Sequence, residues 1–221
     1  MIKPEIAILL GVYIGDGWIS KFNKQIKLSI NVGKDKDFGL KLVELLHKLG
    51  HDGRMYLISQ KYYHVQSYTF WQIIEKYYPK GKKSTSVEIP KNLMEKRKLL
   101  SFILRGIFST DGSFPNTKKK YISFDTTSKK FAIDIYQILR SMDIKGYFYI
   151  FNRKRKLPSG KITPLTLYSV RIWSSIDILK FIREIGSIKP SHIEKFNLFA
   201  AGVAKSGQRR RILNAKLRIR E

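Results

Sequence analysis

The chain has 221 residues, with 43 Lys and Arg against 17 Asp and Glu for a formal net charge of +26, 43% hydrophobic residues and no cysteine. That hydrophobic share excludes a disordered chain, the length allows one large domain or two small ones with a sizeable core, and the missing cysteine excludes disulfides and Cys-based zinc sites. No apolar run reaches the ~18–20 residues of a membrane span, and a folded domain this basic repels itself until a polyanion compensates, so nucleic acid is the expected partner and a membrane surface is not.

The first predicted element is a helix from about Pro4 to Asp16. Pro4 suits a first helical turn and Gly17 suits the stop. The helix is apolar nearly all round, so more than one of its sides must be buried. It closes on "LLGVYIGDG" (9–17), which sets Asp16 against the negative end of the helix dipole, a repulsion of about 0.3–1 kcal/mol. Gly11 and Gly15 fall on one stripe, although each glycine inside a helix costs about 0.5–1 kcal/mol relative to alanine. The apolar N-terminal run lacks an A-x-A-like cleavage signal, so it is expected to be a folded helix and not a leader.

A strand is expected over 24–32, where Ile26, Leu28, Ile30 and Val32 alternate with Gln25, Lys27, Ser29 and Asn31. A helix follows over 37–50, then a β-rich pair over 54–69 turning near Gln60–Lys61, then a Trp-led helix over 70–83. Residues 84–98 are the expected linker.

The order then starts again. The apolar segment "LRGIFSTDG" (104–112) ends on Asp111 and carries Gly106 and Thr110 at the same spacing as Gly11 and Gly15. A strand is expected over 120–126, a helix over 130–143, a longer β pair over 147–173 that turns at 157–160 and carries "NRKRK" (152–156), and a Trp-led helix over 172–189. Residues 207–220 read as a basic terminal helix or tail. The organisation expected is an N-terminal repeat (1–83), a linker (84–98), a C-terminal repeat (99–206) and a basic end (207–221).

Small residues on matching stripes let two helix backbones approach closely, so Gly11/Gly15 should pack on Gly106/Thr110. Asp16 and Asp111 would then meet. Two carboxylates and two helix ends concentrate negative charge, and a divalent cation turns that repulsion into coordination. Hard oxygen ligands with open water positions suit Mg²⁺. The carbonyls of Gly15 and Thr110, freed at the helix ends, are further candidate ligands. One Asp-Gly after an apolar helix marks only a turn; two, each closing a small-xxx-small helix in a tandem repeat of a strongly basic chain, point to a shared site.

These two motifs resemble those of the LAGLIDADG homing endonucleases, and the chain looks like a single-chain member with two repeats. Ile14 and Ser109 stand where the motif has its first aspartate, and Arg105 stands at its alanine. The resemblance implies an α+β fold of two tandem αββαββα repeats. These would form a pseudo-twofold saddle with antiparallel DNA-binding sheets in the major groove and two central packed motif helices. It implies that Asp16 and Asp111 bind metal over the minor groove and that each DNA strand is cut once. The family's polar water-organising position falls at Gly33 in the first half, where Asn31 or Lys34 would have to cover, and at Thr126 or Thr127 in the second. Its basic pocket residue is matched by Lys82 and Lys189.

The expected function is therefore site-specific, metal-dependent hydrolysis of duplex DNA by an intron-homing endonuclease. Mg²⁺ is the expected cofactor, with Mn²⁺ as a substitute and Ca²⁺ as a non-cleaving mimic. The protein would act as a monomer, in the cytoplasm with the nucleoid, or in an organelle if the source is eukaryotic. Expected DNA contacts are Lys27, Ser29, Asn31 and Lys34 in the first half and Ser123, Asp125 and Thr127 in the second, with Arg153, Arg155, Lys156 and Lys161 on the long hairpin. Arginine suits guanine and Asn or Gln suits adenine, while most lysines would touch only phosphate. Tyr62, Tyr63 and Tyr68 either stack on the nucleic acid or pack in the core. The rivals are an RNA-splicing maturase that would bind intron RNA, and a DNA-binding regulator without catalysis. An intein is disfavoured, because no nucleophilic Cys or Ser opens the chain.

Overall fold

The computed structural model describes residues 2–22, 25–59, 62–78, 87–114, 121–156 and 160–205. The first half runs α1 (Pro4–Asp16), β1 (Gly17–Phe22), β2 (Gln25–Gly33), α2 (Lys36–Lys48), β3 (Arg54–Ser59), β4 (Tyr62–Ser67) and α3 (Trp71–Tyr77). A short helix α4 (Lys91–Met94) follows. The second half runs α5 (Arg97–Asp111), β5 (Gly112–Ser113), β6 (Ile122–Thr126), α6 (Lys129–Ser141), β7 (Tyr147–Lys156), β8 (Ile162–Ile172) and α7 (Ser175–Glu184), and α8 (Pro190–Lys205) closes it. The two four-stranded antiparallel sheets have the same order, β1-β2-β4-β3 and β5-β6-β8-β7. The α+β repeat expected from the sequence is therefore present.

Local chemistry sets the boundaries. Asp35 caps α2 by accepting from the Phe38 N–H at 3.0 Å, and Ser128 caps α6 by accepting from the Phe131 N–H at 3.2 Å. One face of each sheet is core: Leu28, Ile30, Val32 and Val65 in the first sheet, and Ile122, Phe124, Val170 and Ile172 in the second, are all buried. The residues between them in sequence turn to the opposite, outer face.

Helices α1 and α5 lie against each other with no room to spare. A methyl group on Gly11 would collide with the Ile103 carbonyl oxygen and stand 3.0 Å from the Gly106 Cα. One on Gly106 would collide with the Ile8 carbonyl oxygen and stand 2.9 Å from the Gly11 Cα. One on Gly15 would strike the Thr110 side chain. The glycines offset their cost in helix propensity by letting the backbones touch.

Three features differ from what the residue pattern alone predicts. The last repeat helix starts at Ser175 and not at 172, because Ile172 is still paired with Ile122 in the ladder and Ser174 then caps the helix. Strand β1, which the αββαββα resemblance implies but residue alternation does not mark, forms directly after Asp16 and takes its order from edge pairing with β2. Helix α8 was not expected; Phe196 and Phe199 bury on Phe108 and Phe114 and hold it to the second half. The turn at 60–61, residues 84–86 of the linker, 157–159 of the second turn and the tail 207–221 lie outside the described residues, as does Lys82. Among the described residues, no helix is long and apolar enough to cross a membrane.

Candidate active site

The site is built where α1 and α5 end together. The last bond of α1 runs from the Gly17 N–H to the Tyr13 carbonyl, and that of α5 from the Gly112 N–H to the Phe108 carbonyl. No basic residue lies in the last turn of either helix, so the dipole ends are not offset from within. The Asp111 carboxyl carbon stands 3.5 Å from where a Cβ on Gly15 would be, which puts the second aspartate against the residue preceding the first. The close glycine packing thus has a geometric result: two carboxylates from different repeats are carried to one seam.

Beside this seam opens a cavity of about 310 Å³. Asp16, Ser109 and Thr110 line it from the helix ends, Asn31, Gly33 and Lys34 from the end of β2 and the turn after it, and Lys189 from the segment between α7 and α8. Asp111 is not part of that lining. Gly33 has φ +60°, a left-handed conformation that glycine adopts freely, and its N–H donates to Asn31 Oδ1 at 2.9 Å. Asn31 and Lys34 therefore stand at the cavity where Gly33 has no side chain to offer. Of the two candidate counterparts in the second half, Thr126 ends β6 and Thr127 follows it; both are half-buried and neither lines the cavity.

Lys189 belongs to the second repeat yet reaches the first. Its Nζ lies 3.8 Å from Asp35 Oδ2 and 5.6 Å from the centre of the Phe38 ring. A hydrogen-bond chain fixes the segment that carries it. Ser109 Oγ donates to the Arg105 carbonyl at 2.7 Å and accepts from the Ile188 N–H at 3.0 Å. With its proton spent, Ser109 must accept from Ser187 Oγ at 3.0 Å. Ser187 in turn accepts from the Lys189 N–H at 3.1 Å and from His192 Nδ1 at 3.2 Å. The network thus assigns His192 the Nδ1–H tautomer. Burial above all, helped by the charges of Lys189 and Lys195, pushes the His192 pKa down to about 4, so the ring is neutral at pH 7. Arg105, at the motif's alanine position, donates from Nε to the Ile185 carbonyl and so serves the exposed dipole end of α7. Burial lowers its pKa below the ordinary guanidinium value.

The donor set at the seam is oxygen only: the carboxylates of Asp16 and Asp111 and the carbonyls of Gly15 and Thr110. Among the described residues, no group of three or more His, Cys, Asp or Glu is placed to hold an ion. Such an oxygen-only set fits a hard divalent cation and does not fit a structural zinc.

The outer sheet faces carry the expected contact residues unevenly. Asn31, Lys34, Asp125, Arg153, Arg155 and Lys161 are exposed, and Lys27 is half-buried with its Nζ donating to Gln66 Oε1 at 3.3 Å. Ser29 and Ser123 are on the outer face but are only 1% and 2% exposed, because cross-strand neighbours cover them: Trp18 and Gln66 over Ser29, Arg171 over Ser123. Lys156 differs too. Arg153 and Arg155 share the outer face, and the uninterrupted register of β7 with β8 turns Lys156 to the other side. Tyr62 and Tyr68 are exposed, whereas Tyr63 packs on the core. Residues the sequence reading missed include Asp35, a cap that also pairs with Lys189, and Arg171, whose outward direction follows from the apolar Val170 and Ile172 on either side of it.

Comparison with known proteins agrees with this architecture. Residues 99–186 match the family model of the LAGLIDADG-like domain. The LAGLIDADG meganuclease I-AabMI bound to uncleaved DNA superimposes with a TM-score of 0.54 at 14% identity, covering 93% of this chain and 92% of that one. I-DmoI in complex with DNA and Ca gives 0.53 at 13% identity, covering 88% and 97%, and an I-DmoI variant has been solved with its target DNA in the presence of Mn. The N-terminal LAGLIDADG domain of DUF199/WhiA gives 0.51 at 18% identity, covering 83% and 82%. A replication factor C small subunit from Methanocaldococcus jannaschii is 29% identical over 198 residues, which are 87% of this chain but only 10% of that protein, so the chain spans about a tenth of the relative's length. The class is set by these likenesses: the chain has the two-repeat LAGLIDADG fold. Residues 99–186 carry the match to the LAGLIDADG-like domain, and the chain shares its architecture with the homing endonucleases I-AabMI and I-DmoI and with the LAGLIDADG domain of WhiA.

Proposed function

We propose that the chain is a site-specific DNA endonuclease of the homing type that acts as a monomer on a long asymmetric duplex and works alongside the nucleoid. The observation that carries this reading is the packing of Asp111 against Gly15, the residue before Asp16, at the α1–α5 seam, beside a cavity that Asp16 and Lys189 line. Asp16 and Asp111 would hold the metal, with the carbonyls of Gly15 and Thr110 as further ligands. A divalent ion such as Mg²⁺ or Mn²⁺, if held there, would supply Lewis acidity toward a phosphate and a lowered pKa for a bound water. Support for a divalent ion comes from the oxygen-only donor set and from the Mn and Ca used with I-DmoI.

The chain's own residues do the rest. Lys189, held by the Ser109–Ser187 chain, would set a positive charge at the cavity that Asp16 lines, where a phosphate gains negative charge in the transition state. Lys82 is the proposed counterpart for the other strand. Asn31 stands at the cavity to orient a water. The two outer sheet faces follow the duplex, and the large positive charge supplies salt-dependent affinity.

The test is to incubate the protein with a randomised duplex library, once with Mg²⁺ and once with Ca²⁺, and to sequence any new ends. Ends at one site with Mg²⁺, and binding without ends in Ca²⁺, are expected. Asp16→Asn and Asp111→Asn should bind the selected site and leave it uncut. Cutting by both variants would overturn the assignment of the aspartates. Intron RNA bound in preference to duplex would favour a maturase, and duplex binding with no cutting in either ion would favour a regulator.

A further inference from the structure

The outer faces of the two sheets differ in chemistry. That of the first sheet sets Trp18 and Tyr56 among the polar Lys27, Asn31, His64 and Gln66, with no arginine enclosed by rings among its described residues. That of the second is aromatic, and an arginine sits among its rings. The Arg171 guanidinium lies 4.7 Å from the ring centre of Phe151, 5.1 Å from Tyr121, 5.3 Å from Tyr149 and 6.0 Å from Trp173. The rings hold one another: Trp173 Nε1 donates to the Tyr149 hydroxyl at 3.1 Å, Tyr121 packs on Trp173 at 4.5 Å, and Tyr149 stacks near Phe151 at 6.1 Å.

Arg171 is also fixed along its length. Its Nε donates to Ser169 Oγ at 3.0 Å. Among the described residues, no carboxylate pairs with it and nothing accepts from its terminal Nη groups. Strand β8 lies inside the sheet, between β6 and β7, so Arg171 stands in the middle of the face and not on its rim. A charge with its rotamer fixed, its sides covered by π faces and its donor fork left open is built to be read from one direction.

We propose that Arg171 reads a guanine in the half of the target that lies against the β5-β6-β8-β7 sheet, its Nη fork donating to the O6 and N7 acceptors at the major-groove edge. This rests on the DNA reading of the preceding subsection. The two acceptors of guanine match a planar fork; the acceptor and donor pair of adenine does not. The position read is near the middle of the target. Arg171 faces Ser123 across one strand gap and Ser113 across two, which is about 10 Å at ordinary strand spacing, and Ser113 follows Asp111 by two residues. Arg153 is six residues further along β7 than Tyr147, the partner of Arg171, or about 20 Å away toward the hairpin turn. It reads a base farther from the cut.

The experiment selects bound duplexes from a randomised library in Ca²⁺, using the wild-type protein, Arg171→Lys and Ser169→Ala. Arg171→Lys keeps the charge and loses the fork. Wild-type protein should enrich guanine at one central position on the second-repeat side. Arg171→Lys should lose about 5- to 100-fold of that preference while the other positions and the salt slope stay as they were. Ser169→Ala, which removes only the Nε hydrogen bond, should weaken the same position by a smaller factor. Wild-type enrichment with unchanged profiles in both variants overturns the role of Arg171 alone. A third variant, Arg171→Gln, removes the charge as well: a salt slope that falls in it with base preference intact, the mark of a phosphate contact, overturns the role of Arg171 too. A wild-type protein that enriches no duplex overturns the DNA reading itself, and Arg171 with it.

Discussion

Asp16 sits at a position that costs stability, and that cost is measurable apart from any chemistry. A carboxylate at a helix C-terminus loses about 0.3–1 kcal/mol, and Asp111 stands close by. Asp16→Asn should therefore raise the melting temperature in EDTA by about 1–4 °C for a chain of this size, while cutting is lost. Calorimetry without metal checks it; a variant that melts below the wild type would show that the carboxylate contributes more to the fold than the dipole takes away. The aspartates were legible in the sequence because an apolar helix pattern located each helix end and the repeat supplied the second copy. Ser29 and Ser123 were not legible as covered residues. Alternation tells which face a residue takes, but not whether a tryptophan or an arginine on the next strand lies over it. Arg171 was open to the same alternation, yet the run at 152–156 drew attention to charge density, which marks phosphate contact more than base reading.

At the scale of elements, the seam between α1 and α5 leaves no room for an added methyl group. An alanine at Gly106 gains helix propensity of about 0.5–1 kcal/mol. Its methyl must nonetheless enter space already held by the Ile8 carbonyl oxygen, with the Val12 nitrogen 2.7 Å away. Backbone cannot swing aside as a side chain can, and overpacking of this kind costs about 1–3 kcal/mol. Gly106→Ala should lower the urea midpoint despite its better propensity, and an unchanged midpoint would mean that the helices separate at little cost. This contact was readable from the spacing of small residues alone. Helix α8 was harder to see: Phe196, Phe199 and Val203 do recur at helical spacing, but nothing in the sequence says that they dock on Phe108 and Phe114. Strand β1 was hidden for the opposite reason. It is ordered by its partner β2, and pairing is a tertiary fact that a short window does not hold.

For the whole molecule, the joint between the halves is polar as well as apolar, and its polar part makes stability depend on pH. Through Ser187, Ser109 and Lys189, His192 links α8 and α5 of the second half to Asp35 of the first. The groups facing it are Lys189 and Lys195, which disfavour a proton, and Asp35, which favours one but is outweighed by burial. Its folded pKa of about 4 lies below the ordinary 6.5, so between these values the unfolded chain binds the proton and the folded chain does not. Stability rises with pH where the unfolded state holds more protons. The contribution of a neutral His192 is therefore complete above about pH 6.5, falls as pH drops toward 4 and levels off below it, with an upper limit of roughly 3 kcal/mol over the window. Carboxylates titrate in part of the same range, so the difference between two proteins isolates the histidine. His192→Gln keeps a donor for Ser187 and cannot be protonated. Its melting temperature should fall less than that of the wild type between pH 6.5 and 4, with the two curves parallel above pH 7. Parallel curves throughout would mean that His192 takes up its proton as readily in the fold as out of it, and that the joint opens to water.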